Sequence, residues 1–221
     1  MNAAVPTRRG VVGDRWCAAG VFLFALLLRW LYCGELAQWF VFSHPLVDAQ
    51  HYQNLAIALL QDGDAALPAL AWQPAWVAVV LSWAYRAFGV GPIGPIMNAL
   101  VGAVNCLLIY QISRALYGRR AGVAAGLAGA LYGPLIFFDC AILNEPWSNL
   151  WMLLGFTCIA PMASDETPLP LQLGRGVLLG VLGSLMLLTR PLAATIWAMQ
   201  CLWYGLGRVP GIRAARSPVA S

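Results

Sequence analysis

The chain has 221 residues, of which 61% are hydrophobic and only 10% charged, with a mean hydropathy of +0.72. A soluble domain carries about 25% charged residues, so this composition excludes an ordinary water-soluble fold and indicates an integral membrane protein. The net charge of +4 comes from 13 arginines and no lysine. With no long basic patch interleaved with aromatics, it reads as membrane topology, and no nucleic-acid partner is expected.

Arg8, Arg9 and Arg15 precede an apolar run over 16–32 that is about long enough to cross a ~30 Å hydrocarbon core. No clean small-x-small cleavage site follows, so an uncleaved signal anchor is expected. The next stretch, to 73, is more polar. Within it Asp48 opens DAQHYQNLAIALLQDGD, where Tyr52, Leu55, Ala56 and Leu59 recur at helical spacing with polar residues opposite. This predicts a short amphipathic helix lying in the interface. Segment 74–88 is short and aromatic, with Trp72 just ahead of it and Trp76 and Trp83 inside. Five further apolar runs follow, at 96–116, 121–138, 147–162, 177–188 and 192–206, and then a basic cytoplasmic tail over 207–221.

Whether 74–88 crosses the bilayer decides the topology. If it crosses, Arg119 and Arg120 lie outside and Glu145 faces the cytoplasm. If it lies along the outer surface, Arg8, Arg9, Arg15, Arg114, Arg119, Arg120, Arg175, Arg208, Arg213 and Arg216 are all cytoplasmic, ten of the 13 arginines. Glu35, Asp48, Asp62, Asp64, Asp139 and Glu145 then face outward. The positive-inside rule prefers the second arrangement. The expected fold is an all-α membrane protein, a single domain over 1–221 with about six transmembrane helices and two outer interfacial helices. Both termini are expected in the cytoplasm, with the protein in the plasma (inner) membrane. Gly122-x-x-x-Gly126 and Gly176-x-x-x-Gly180 suit close packing between helices of the chain, a dimer seam being the other use of such motifs.

Asp48 is a natural helix N-cap and, at the membrane–water boundary, also a candidate general base; the two roles are compatible. His51 and Tyr52 lie one turn further along and are candidate substrate contacts. Glu145, in Leu143-Asn144-Glu145-Pro146, suits a helix start equally well; its case as a second acid is that it shares a membrane face with Asp48. Asp139 reads as a loop marker. Arg190 stands against the charge bias, so it either snorkels to headgroups or grips a phosphate with its planar fork; Arg29 and Arg86 are weaker candidates for the same task. The six cysteines are scattered and mostly behave as small hydrophobes, although Cys33 and Cys140 both fall near the outer face, where a disulfide is open to them. His44 and His51 are the only histidines and predict no dedicated metal site. No hydrolase motif and no phosphate-binding glycine loop occurs. With no charge expected near the middle of any span and no inverted-repeat hydropathy, a small transporter is disfavoured.

The ordered series VDAQHYQNLA, QPAW, SRALYGRRAG, LAGALYGPLIFFDCAILNEPW and GVLLGVLGSLMLLTRP resembles the amino-terminal half of the C-type, polytopic glycosyltransferases. It is most similar to the family 39-like bacterial group, related to protein O-mannosyltransferases and lipid A aminoarabinose transferases. The resemblance runs from about Trp16 to Pro191. It implies transfer of a sugar from a polyprenyl-phosphate carrier to an acceptor hydroxyl on the extracytoplasmic side, with the lipid-linked donor as substrate and membrane lipid as surroundings. By this likeness Asp48 matches the first-loop catalytic acid and Glu145 the second-loop acid, with Arg190 and Arg29 left to hold the donor phosphate. Ala49 stands where many relatives carry a second acid, so a divalent metal is unsupported and no other cofactor is expected. Relatives continue with several more spans. The chain is therefore expected to be a catalytic half or, alternatively, a non-catalytic subunit supporting a larger membrane glycosyltransferase.

Overall fold

A computed structural model describes residues 8–38, 47–62, 75–159 and 169–206, and every regular element in them is helical. The expected tail 207–221, together with His44, Asp64 and Trp72, lies outside the described residues. In chain order the helices are α1 (Arg8–Leu36), α2 (Asp48–Asp62), α3 (Ala75–Phe88), α4 (Ile93–Tyr117), α5 (Arg119–Leu131), α6 (Gly133–Asp139), α7 (Glu145–Ile159), α8 (Leu169–Thr189) and α9 (Ala194–Leu206). A single 3-10 turn, Pro191–Ala193, joins the last two.

Among the described residues, two helices can cross a bilayer by length and composition, Gly13–Leu36 in α1 and Ile93–Tyr117, or three if α5 and α6 together make one bent span. Six had been expected. The run at 121–138 is interrupted because Gly133-Pro134 starts a new helix: proline has no N–H to continue the ladder and its ring clashes with the carbonyl four residues back. Tyr132 accordingly sits at φ −72° and ψ 104°, and α6 leaves α5 at 61°. The described parts of the later helices are shorter, 15 residues in α7 and 13 in α9, each bordering residues outside the described set.

Glycine sets the tightest contacts. Gly118, at φ +86°, ends α4 and starts α5, a backbone conformation that residues with a Cβ resist. The two helices fold back on each other so closely that a Cβ at Gly122 would lie 2.8 Å from Cβ of Arg114, and one at Gly126 would lie 2.8 Å from Val21 of α1. The Gly122–Gly126 motif thus serves packing within the chain. Gly180 instead faces open space, and it is Gly183 that lets Trp197 of α9 lie against α8.

The helix ends separate two regions. At one end Asp14 pairs with Arg114 at 2.7 Å and reaches Arg119 at 3.9 Å, joining the start of α1 to the turn between α4 and α5. At the other end lie the start of α4, the corner between α6 and α7, and the end of α8. The C-terminal part of α1 meets Asp139 at the end of α6, and Asn98 near the start of α4 holds the neighbouring corner. The chain from α1 to α4, including α2 and α3, therefore leaves and rejoins the bundle on the same side. There α2 and α3 build a cluster with α4 and the α7 corner, through Tyr52, Val77, Leu81, Tyr85, Val101 and Trp147. As the spacing predicts, α2 buries Tyr52, Leu55 and Ala56.

Candidate functional site

The corner between α6 and α7 is held by polar side chains of α4. Asn98 donates through Nδ2 to the carbonyls of Ala141 (2.6 Å) and Leu143 (3.0 Å) and accepts from Trp147 Nε1 at 2.9 Å. Two turns further along the same face, Asn105 donates to the Pro146 carbonyl at 2.8 Å. The Ala141 and Leu143 carbonyls lie outside any helical ladder and Asn98 satisfies them, while Asn105 ties the first turn of α7 to α4. The result is a fixed presentation of Asn144 and Glu145 at the head of α7.

Asn144 donates to the Tyr52 hydroxyl of α2 at 2.6 Å, fastening α2 to α7. Burial pushes the Tyr52 hydroxyl above its ordinary pKa; the Asp48 and Glu145 carboxylates push it further, while Asn144 and Arg190 offset part of the rise. Tyr52 is therefore the residue that feels both acids, and it stays a neutral donor at physiological pH. Asp48 itself is exposed at the first position of α2. The residue before it, Val47, has φ +52°, left-handed geometry that costs a β-branched residue about 1–3 kcal/mol. That strain sits directly beside the exposed carboxylate. His51 is exposed next to it, its ring 6.2 Å from that of Tyr52 in an edge-on contact.

Arg190 follows α8 and bonds Glu145 Oε1 through Nη1 at 3.0 Å, with the side chains 48% and 28% exposed. The approach is set by Trp151 of α7, whose Nε1 donates to Thr189 at 3.1 Å. At the head of α7, Asn144 Oδ1, Glu145 Oε2 and Ser148 Oγ are buried without a partner among the described residues. Trp76 of α3 stacks edge-on against Trp147 and Trp151, with ring centres 5.8 and 5.3 Å away. Asp48, His51, Tyr52, Glu145 and Arg190 thus come together at one end of the bundle, opposite Asp14, Arg114 and Arg119. Asn144 and the three tryptophans join them without having been singled out as site residues. Asn144 reads locally as a helix-start residue, and nothing near it in the chain points to Tyr52, 92 residues away.

Arg29 is placed elsewhere. Its side chain is fully buried, with Nε and Nη2 on Asp139 Oδ2 at 2.8 and 2.7 Å, Nη1 on the Ala25 carbonyl at 3.1 Å and Nη2 also 3.5 Å from Cys106 Sγ. Every guanidinium nitrogen is engaged, because an arginine in an apolar bundle needs a partner at each donor. Asp139, expected to mark a loop, is that partner and is itself buried. Gly102 of α4 makes the room: a Cβ there would overlap the Asp139 carboxylate and reach Arg29 Nε. The pair therefore lies well along α4, inside the bundle, where no charge had been expected. A cavity of about 180 Å³ lies beside it, lined by Arg29, Asn105, Asp139 and Asn149 with apolar residues of α4, α6 and α7; Asp48, Tyr52 and Glu145 do not line it.

No three His, Cys, Asp or Glu side chains among the described residues come close enough to share a metal ion. Comparison with family models, with curated proteins and with solved structures finds no match to this chain.

Proposed function

We propose that the chain is a membrane glycosyltransferase, or the catalytic half of one, that moves a sugar from a polyprenyl-phosphate carrier to an acceptor hydroxyl on the extracytoplasmic side. The observation that carries this reading is the convergence of Asp48, Tyr52, Glu145 and Arg190 at the bundle end opposite Arg114 and Arg119. With the arginine-rich end in the cytoplasm, six passes with α2 and α3 lying along the outer surface put this cluster at the outer boundary, both termini inside. That is where the phosphate of a lipid-linked donor rests.

Asp48 is the general base in this reading. The acceptor oxygen forms its bond to the anomeric carbon as the carbon–oxygen bond to the phosphate breaks, and the acceptor proton passes to the carboxylate. The electron pair leaves on the phosphate, which needs charge stabilisation more than a proton. Arg190 supplies it with the donors that Glu145 does not occupy, so Glu145 orients the guanidinium as well as adding charge. Tyr52 and His51 border the acceptor side in this reading. No metal enters this scheme.

Replacing Asp48 with Asn and assaying transfer from a polyprenyl-phosphate sugar in membranes tests the assignment. The expected result is a loss of at least about 100-fold, the usual range for a general base. Undiminished transfer by a folded variant removes Asp48 from the chemistry. The alternative, a non-catalytic subunit supporting a larger membrane glycosyltransferase, draws on one observation: Gly180 on α8 has nothing within 4 Å, leaving a small-residue face open to another helix. Copurification of a larger membrane protein that is lost in Gly180→Leu, with Asp48→Asn tolerated, would favour it.

A further inference from the structure

Cys33 and Cys140 come from opposite halves of the described chain, one near the end of α1 and one directly after α6. Both are free thiols, close enough to act on each other electrostatically. A second contact fixes the approach: Cys140 Sγ lies 3.4 Å from the Arg29 carbonyl, to which it donates. That carbonyl belongs to the helical turn ending at Cys33. A helical side chain leans back over the turn that precedes it, so Cys33 Sγ is carried towards the spot that Cys140 occupies. Cys140 is fully buried, whereas Cys33 is partly exposed.

We infer that Cys33 and Cys140 are a dithiol site that closes to a disulfide under a disulfide-bearing oxidant, with Cys33 the entry thiol and Cys140 the resolving one. The asymmetry in exposure sets the order. Cys33, as thiolate, attacks the oxidant's sulfur, forming a mixed disulfide and releasing one thiolate. Cys140 then attacks Cys33 Sγ, expels the second thiolate and gives up its proton to it. The pair loses two electrons and the oxidant's disulfide becomes two thiols. A small-molecule disulfide or a dithiol oxidoreductase of an oxidising compartment supplies that chemistry, and nothing in it depends on sugar transfer. The site also has a structural meaning. Cys140 adjoins Asp139 and Cys33 lies one turn beyond Arg29, so the bond would fasten covalently the same two segments that the buried ion pair joins.

The test uses the full chain in detergent micelles and dithiodipyridine, an uncharged aromatic disulfide that enters the micelle. After quenching, unfolding and alkylation of remaining thiols, peptides are mapped without reduction. The expected product is a peptide pair joined through Cys33 and Cys140, lighter by two hydrogens than its parts, separated by reductant and absent from Cys33→Ser. In that variant Cys140 is recovered alkylated, showing that the oxidant does not reach it directly. The inference is overturned if folded wild-type protein keeps a pyridyl adduct on Cys33 while Cys140 remains alkylatable. Linkage of Cys33 to another cysteine, or recovery of both as free thiols, overturns it equally.

Discussion

The molecule holds two arginine–carboxylate pairs that differ in almost everything except chemistry. Arg29 and Asp139 are buried to 0% and 3% side-chain exposure, with all guanidinium nitrogens engaged and a glycine shaped around them. Arg190 and Glu145 meet through one bond at 3.0 Å at the wet end of the bundle, with Glu145 Oε2 lacking a partner among the described residues. Placement separates their roles. A fully buried guanidinium with each nitrogen already bonded is suited to holding helices together rather than to binding and releasing a substrate. One that is half-exposed and singly bonded contributes little to the fold and keeps its fork for an incoming anion. Both arginines were candidates for the donor phosphate, and the burial of Arg29 with an engaged partner favours Arg190 for that proposed role.

The sharpest way to break the contrast is to uncouple the buried pair. Asp139→Asn leaves the Arg29 charge buried without a counterion, and the expected loss of stability is about 3–5 kcal/mol. Replacing both partners with leucine removes the uncompensated charge, so the double variant is expected to unfold at a higher temperature than the single one. Thermal unfolding in detergent reads both. A single variant as stable as the native chain would mean that the pair contributes nothing to holding α1 against α6.

A smaller effect is expected from Gly102→Ala. The added methyl must enter space held by the Asp139 carboxylate, so either the ion pair lengthens or α4 retreats. Overpacking of this kind costs about 1–3 kcal/mol. The same substitution at Gly180, which has nothing near it, is expected to raise stability by up to about 1 kcal/mol through helix propensity and serves as the matched control.

Much of this was legible in the sequence. The apolar runs give α1 and α4 directly, the spacing of Tyr52, Leu55 and Ala56 gives the buried face of α2, and Gly-x-x-x-Gly marks the seam between α4 and α5. What escaped was long-range. Arg29 and Asp139 are 110 residues apart, and nothing local ties a carboxylate after an aromatic run to an arginine in the first span. An arginine in an apolar run is costly enough to demand a partner, and that cost was the available clue. Asn144 was missed for a related reason: its local role as a helix-start residue accounts for it, while its contact with Tyr52 spans 92 residues. The break at Tyr132 was foreshadowed by Gly133-Pro134, but continuous hydropathy outweighed it. Hydropathy counts apolar residues and does not see where the helical ladder stops.

The smallest expected effect on stability falls at the exposed pair, and it separates holding the fold from holding a ligand. Glu145→Gln and Arg190→Lys should each shift stability by less than about 1 kcal/mol, since a partly exposed ion pair is worth little. Even that difference should vanish as salt rises from ~0.1 to ~1 M and the Debye length falls from about 10 to about 3 Å, while the deficit of Asp139→Asn persists because no ions reach it. Sugar transfer should respond differently. Arg190→Lys keeps the charge but loses the planar fork, so the KM for a polyprenyl-phosphate donor is expected to rise about tenfold, close to the loss of one charge-assisted hydrogen bond. Unfolding curves and donor titrations on the same preparations check both halves. If Arg190→Lys unfolds early and binds donor normally, the exposed pair is a brace like the buried one, and the donor phosphate must be held elsewhere.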